Sequence, residues 1–134
     1  MRKTILSFAI LLIVSSIGCA PKQMYYWGDY SDTLYAYKKN SNDETLLKHM
    51  QELNKIIEQS NKHNTRVPPG VYGELGYLTL KSDKVKEAIE YFNIEKQLYP
   101  ESTILMDRLI KKSEESMQRE NEQPDQTTSN AESL

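Results

Sequence analysis

Apolar residues along this 134-residue chain recur at intervals of three and four, and strict two-residue alternation is nearly absent. Such periodicity builds helices and leaves little to make a sheet. Trp27, Tyr30, Leu34 and Tyr37 fall on one helical face. Asn40-Ser41-Asn42-Asp43 makes a turn, with Ser41 and Glu44 as a capping box for the next helix. That helix carries Leu46, Met50, Leu53 and Ile57 as its stripe, widened by Leu47 and Ile56. It stops near His63-Asn64, ahead of the breaker Val67-Pro68-Pro69-Gly70. A third helix begins near Pro69 and turns Tyr72, Leu75 and Leu78 inward, and Ser82-Asp83 supplies a turn and a cap. A fourth runs through Val85, Ala88, Ile89 and Phe92 to Leu98, where Pro100 halts it. Ser102 caps a fifth, with Leu105, Leu109 and Ile110 as its buried stripe and Met117 beyond. The expected fold is all-α, a stack of about five helices over residues 25–122. From Gln123 the sequence QPDQTTSNAESL has almost nothing to bury and reads as a disordered tail, 123–134.

The N-terminus is of another kind. Met1-Arg2-Lys3 is basic, Ile5 to Val14 is almost wholly apolar, and Ser15-Ser16-Ile17-Gly18 leads to Cys19, the only cysteine. A spanning helix needs roughly 20 apolar residues, so this run has the length of a signal-peptide core. The tetrad SIGC resembles the bacterial lipobox, with leucine replaced by Ser16. The resemblance implies a signal peptide over 1–18 and a diacylglyceryl group on Cys19. Two acyl chains hold a protein stably on a membrane. A lipidated Cys19 keeps no thiolate, and no second cysteine exists for a disulfide. Ala20 follows it, not the aspartate of inner-membrane retention, which implies the outer membrane with the domain facing the periplasm. Residues 19–24 form the tether, and its five residues beyond Cys19 reach at most about 17 Å. The domain would sit against the membrane surface.

The formal charge of −2 becomes about −4 once Arg2 and Lys3 are removed, with acids and bases interspersed. That balance argues against nucleic acid as a partner. Tyrosine supplies nine of the aromatic residues, five of them between Tyr25 and Tyr37. Trp27, Tyr30 and Leu34 are expected in the core. Tyr25, Tyr26 and Tyr35 cannot all point inward with them, which leaves them as partner-binding candidates, for a protein, the headgroup layer or glycan.

Pro69 to Pro100 resembles a tetratricopeptide unit, a helix pair of about 34 residues. Tyr72 stands for the family's tryptophan, Leu75-Gly76 for its LG pair, Ala88 for its small residue and Phe92 for its aromatic, with Pro100 closing the unit. Gly76 and Ala88 let two helices approach, and Tyr72, Leu75 and Phe92 fill the space between them. Glu95 and Thr79 depart from the pattern. Trp27, Tyr30 and Leu34 look like the opening of an earlier unit, 45 residues before Tyr72.

The whole mature chain, from CAP onward and with WGDYSDTLY and EKQLYPES as its most specific stretches, resembles a family of small bacterial lipoproteins classed as a domain of unknown function. Genes of that family commonly lie beside lipoproteins related to the curli secretion pore. The resemblance implies a non-enzymatic adaptor in an outer-membrane assembly or secretion complex, with envelope lipoproteins, a curli-pore-like one among them, or a second copy as partners. The alternative is a binding module for an envelope polymer such as peptidoglycan.

Chemistry is sparse. His49 and His63 sit outside any zincin, EF-hand or cysteine-rich context, with His49 on a helix flank and His63 near a helix end. Glu87, Glu90 and Glu95 read as a solvated face, and Gly73 with Gly76 makes no dinucleotide fingerprint. No catalytic residue, metal site or cofactor is assigned, other than the lipid on Cys19.

Overall fold

The computed structural model describes residues 23–122, with side chains described as far as Arg119. The expected signal segment, Cys19, most of the expected tether and the expected tail lie outside the described residues. Among the described residues there are five helices, α1 (Tyr30–Lys39), α2 (Asp43–Lys62), α3 (Val71–Lys81), α4 (Val85–Leu98) and α5 (Thr103–Glu122), with a 3-10 turn at Pro100–Ser102. No strand occurs among the described residues. The fold is all-α, as the periodicity requires.

Each helix packs on its neighbour in sequence, and the α3–α4 contact is the most extensive. Leu53, Ile56, Val67, Val71, Leu75 and Leu78 form the core between α2 and α3. Ala88, Phe92 and Met106 form a second core beneath α5. The expected close approach is real. A Cβ on Gly76 would lie 2.7 Å from the Phe92 ring and 3.1 Å from the Ala88 carbonyl, so only glycine fits. Tyr72 is half-buried beside Tyr91, with ring centroids 6.3 Å apart. Pro100 opens the 3-10 turn that ends α4.

The two helix pairs share a register. Glu95 lies 43 residues after Glu52, as Phe92 does after His49 and Gly76 after Thr33. Neither first helix has a side-chain cap of its own, and each takes one from its partner. Glu52 on α2 accepts the Asp29 N–H (2.8 Å) at the start of α1. Glu95 on α4 accepts the N–H groups of Gly70 (2.7 Å) and Gly73 (3.3 Å) at the start of α3. A carboxylate is favoured there by the positive end of the helix dipole as well as by the orphan donors. A glycine leads the chain into each of these first helices. Gly28 (φ +46°) and Gly70 (φ +88°) adopt left-handed backbone, and a Cβ on Gly28 would collide with Glu52.

Several expectations are corrected. Trp27 is not core: it is 40% exposed, outside α1, and tilts against Tyr30 at 5.2 Å. The turn at Gly28 breaks the three-and-four spacing that joined Trp27 to the helix. Tyr30 and Leu34 are half-buried, because α1 packs on α2 along only part of its surface. The α2 capping box is Asn42 with Thr45, while Glu44 pairs with Lys48 across one turn. Ser82 ends α3, and α4 starts after Lys84 without a side-chain cap. Ser102 bonds the Tyr99 carbonyl and does not cap α5. On α5 the buried hydrophobic position is Met106, with Leu105 57% exposed, because the helix rests on α4 one residue further round. Leu47 likewise faces out at 58%. Glu95 and His49, expected on helix surfaces, are 2% and 0% exposed.

Candidate functional site

The first helix of each pair and α5 line one open groove of about 630 Å³. Helical spacing makes its walls: Tyr30, Leu34 and Lys38 from α1, Glu74 and Tyr77 from α3, and Leu105 and Leu109 from α5. Met106, Tyr99 and Glu95 also line it, where α4 passes into α5. Around the α4–α5 junction the structure is clamped. Tyr99 donates its hydroxyl hydrogen to the Val67 carbonyl, the Arg66 guanidinium lies 4.7 Å over the Tyr99 ring, and Lys96 pairs with Asp107 at 2.6 Å.

At the α1 wall a buried polar chain ends on Glu74. The Tyr30 hydroxyl donates to Glu74 Oε2 (2.8 Å), and His49 Nε2 lies 3.2 Å from Glu74 Oε1. His49 Nδ1 lies 2.9 Å from Thr33 Oγ1, which is also 3.1 Å from the Tyr30 carbonyl. A carboxylate only accepts, so Nε2 carries a proton. Nδ1 then either accepts from Thr33 or donates to it while Thr33 donates to the Tyr30 carbonyl. The Tyr37 ring stacks on the imidazole at 11° between planes. Burial, then the hydrogen bond to Glu74 and its charge, push the Tyr30 phenol up to about 12.

The order Thr33–His49–Glu74 copies that of a nucleophile, base and acid, yet His49 is sealed from solvent. A substrate would reach Thr33 and His49 together only by parting α1 from α2. What the chain does in the folded state is orient Glu74. The two oxygens are each held by one donor, and the side chain keeps 25% of its surface open.

The sequence-predicted residues are dispersed. Tyr25 and Tyr26, with Gln23, His63 and Thr65, line a separate cavity of about 250 Å³. Tyr26 also packs against the core, and the Tyr99 phenol is pushed up to about 12, chiefly by burial and next by the neighbouring Tyr25 hydroxyl. Tyr35 is 67% exposed on the side of α1 opposite Thr33, with Lys39 5.8 Å over its ring. The three tyrosines therefore do not form one surface, and Cys19 lies outside the described residues. Of the repeat-core residues, Gly76, Ala88 and Phe92 are buried against one another, and Leu75 is buried in the core between α2 and α3. Glu74, Tyr77 and Tyr99 line the groove without a sequence pattern that singles them out, whereas Tyr30 and Leu34 belong to the stripe expected on α1.

Among the described residues no group of three or more His, Cys, Asp or Glu side chains is placed to hold a metal ion. No described helix is long and apolar enough to cross a membrane. No curated protein and no solved structure matches the chain. A domain of unknown function, DUF4810, matches residues 24–109, from the aromatic cluster through the groove wall at Leu109, and the chain belongs to that family.

Proposed function

We propose that this protein is a non-enzymatic adaptor, lipid-anchored through Cys19 to the outer membrane and facing the periplasm, whose groove docks a segment of another envelope protein. The observation that carries this reading is the groove itself. Tyr77 and Leu105 stay 47% and 57% exposed in its walls, apolar surface that burial against a partner would stabilise at about 25 cal/mol per Å². The lipobox-like SIGC and the short tether add the rest: they confine the groove to the membrane surface, where encounter with another anchored protein is two-dimensional. The family resemblance directs the search to a curli-pore-like lipoprotein. Tyr25 and Tyr26, next to the tether, are proposed to meet the headgroups, and Tyr35 to make an accessory contact.

Mild-detergent extraction of the native full-length protein tests the reading. An envelope lipoprotein in fixed ratio is expected to co-purify, and radiolabelled palmitate is expected to enter the wild type but not Cys19→Ser. Recovery of the protein alone, with muropeptides retained on it, transfers the groove to the alternative, an envelope-polymer binding module.

A further inference from the structure

The groove is acidic as well as apolar. Its charged lining is three carboxylates, Glu74, Glu95 and Glu101, against one cation, Lys38. Glu95 is occupied by the two N–H groups at the start of α3. Glu74 is differently placed. Its partners are a phenol and an imidazole, and no Lys or Arg among the described residues lies within ion-pair distance of it. Each oxygen of a carboxylate can accept more than one hydrogen bond, so both keep capacity toward the groove. Tyr30, itself in the groove wall, and buried His49 fix the carboxylate's direction, and half-buried Leu34 with exposed Tyr77 and Leu105 supply apolar surface to the same groove. A fixed carboxylate inside an apolar wall selects a cation carried on an apolar segment, because water is displaced around the pair as the walls are covered.

We propose that the groove takes a protein segment whose apolar side chains cover Leu34, Tyr77 and Leu105 and whose Lys or Arg pairs with Glu74. This inference rests on the docking reading above, and narrows it to one partner chemistry and one specificity-determining residue.

Its test is site-specific photocrosslinking in live cells, with p-benzoylphenylalanine at Tyr77 of the full-length protein and sequencing of the captured peptide. An apolar segment bearing Lys or Arg is expected. Glu74→Gln, which still accepts from Tyr30, should lower the yield about tenfold, the scale of one hydrogen bond to a charged group. Neutralising the captured segment's own cation, with Glu74 untouched, should lower it as much, which covers the case where Glu74→Gln fails to fold. Glu74→Lys combined with the partner's cation changed to Glu should restore capture. A captured segment without a cation, or yields unmoved by both neutralisations, overturns this inference and leaves the docking reading standing. Capture of a muropeptide, or no capture at Tyr77 at all, overturns both.

Discussion

The two helix pairs solve one packing problem with opposite materials. At the contact between α3 and α4, Gly76 admits the Phe92 ring, and α3, which packs on α2 as well, buries Val71, Gly73, Leu75, Gly76, Leu78 and Thr79. At the matching contact between α1 and α2, Thr33 meets His49 through a hydrogen bond, and α1 has no fully buried residue. The borrowed cap is common to both, from Glu52 in one pair and Glu95 in the other. What differs is the filler, and with it the role. The apolar pair packs tightly on itself and, through Val71, Leu75 and Leu78, on Leu53 and Ile56 of α2. In the polar pair, hydrogen bonds that would otherwise close on themselves run out to Glu74 at the groove.

The contrast breaks most visibly in the apolar pair. Phe92→Ala should destabilise by about 3–5 kcal/mol, since it empties a fully buried site between Ala88 and Met106. Thermal melts of the full-length protein by circular dichroism measure it. Gly76→Leu should follow at roughly 1–3 kcal/mol or somewhat more, because even a Cβ meets both Phe92 and the Ala88 backbone. Glu95→Ala should cost about 1–3 kcal/mol by stranding two N–H groups, and Glu52→Ala less, since a single N–H depends on it. Comparable losses at Glu52 and Glu95 would mean that the two caps are equivalent and the asymmetry is misplaced. Glu87→Ala, on an exposed face, should stay within about 0.5 kcal/mol.

Alkali sharpens the same comparison on the polar side. The Tyr30 phenol is raised from 10 to about 12, so its contribution is complete below about pH 10 and is lost as pH climbs through about 12. Spectrophotometric titration of Tyr30→Phe should show one fewer late-ionising phenol. Glu74→Gln should bring that phenol only part of the way down, because burial, the largest cause, and the hydrogen bond remain while the negative charge opposing ionisation is gone. An unchanged Tyr30 in Glu74→Gln would detach the polar chain from the groove.

The apolar pair was legible in the sequence and the polar pair was not. Leu75, Gly76, Ala88 and Phe92 carry their meaning in residue type and spacing, because a small residue facing a ring is a packing instruction. Thr33 and His49 occupy the equivalent positions without any apolar signal, so the same contact could not be read there. Trp27 misled because spacing alone cannot see that Gly28 turns the chain before the helix begins. Glu95 reads as surface from its charge, and only the borrowed cap across 25 residues to Gly70 explains its burial. The groove depends on three helices at once, which no local pattern records.

Two leucines with nearly the same exposure offer the most direct test that the groove is the docking surface. Leu105 is 57% exposed within it, and Leu47 is 58% exposed on α2 outside its lining. Neither substitution by glutamate opens a core cavity, so binding can be compared at matched stability. Quantitative co-purification from outer membranes should fall about tenfold or more for Leu105→Glu, a loss of roughly 1.4 kcal/mol, and stay at the wild-type level for Leu47→Glu. Equal retention by both variants, or a greater loss at Leu47, would contradict the groove as the site where this protein meets its partner.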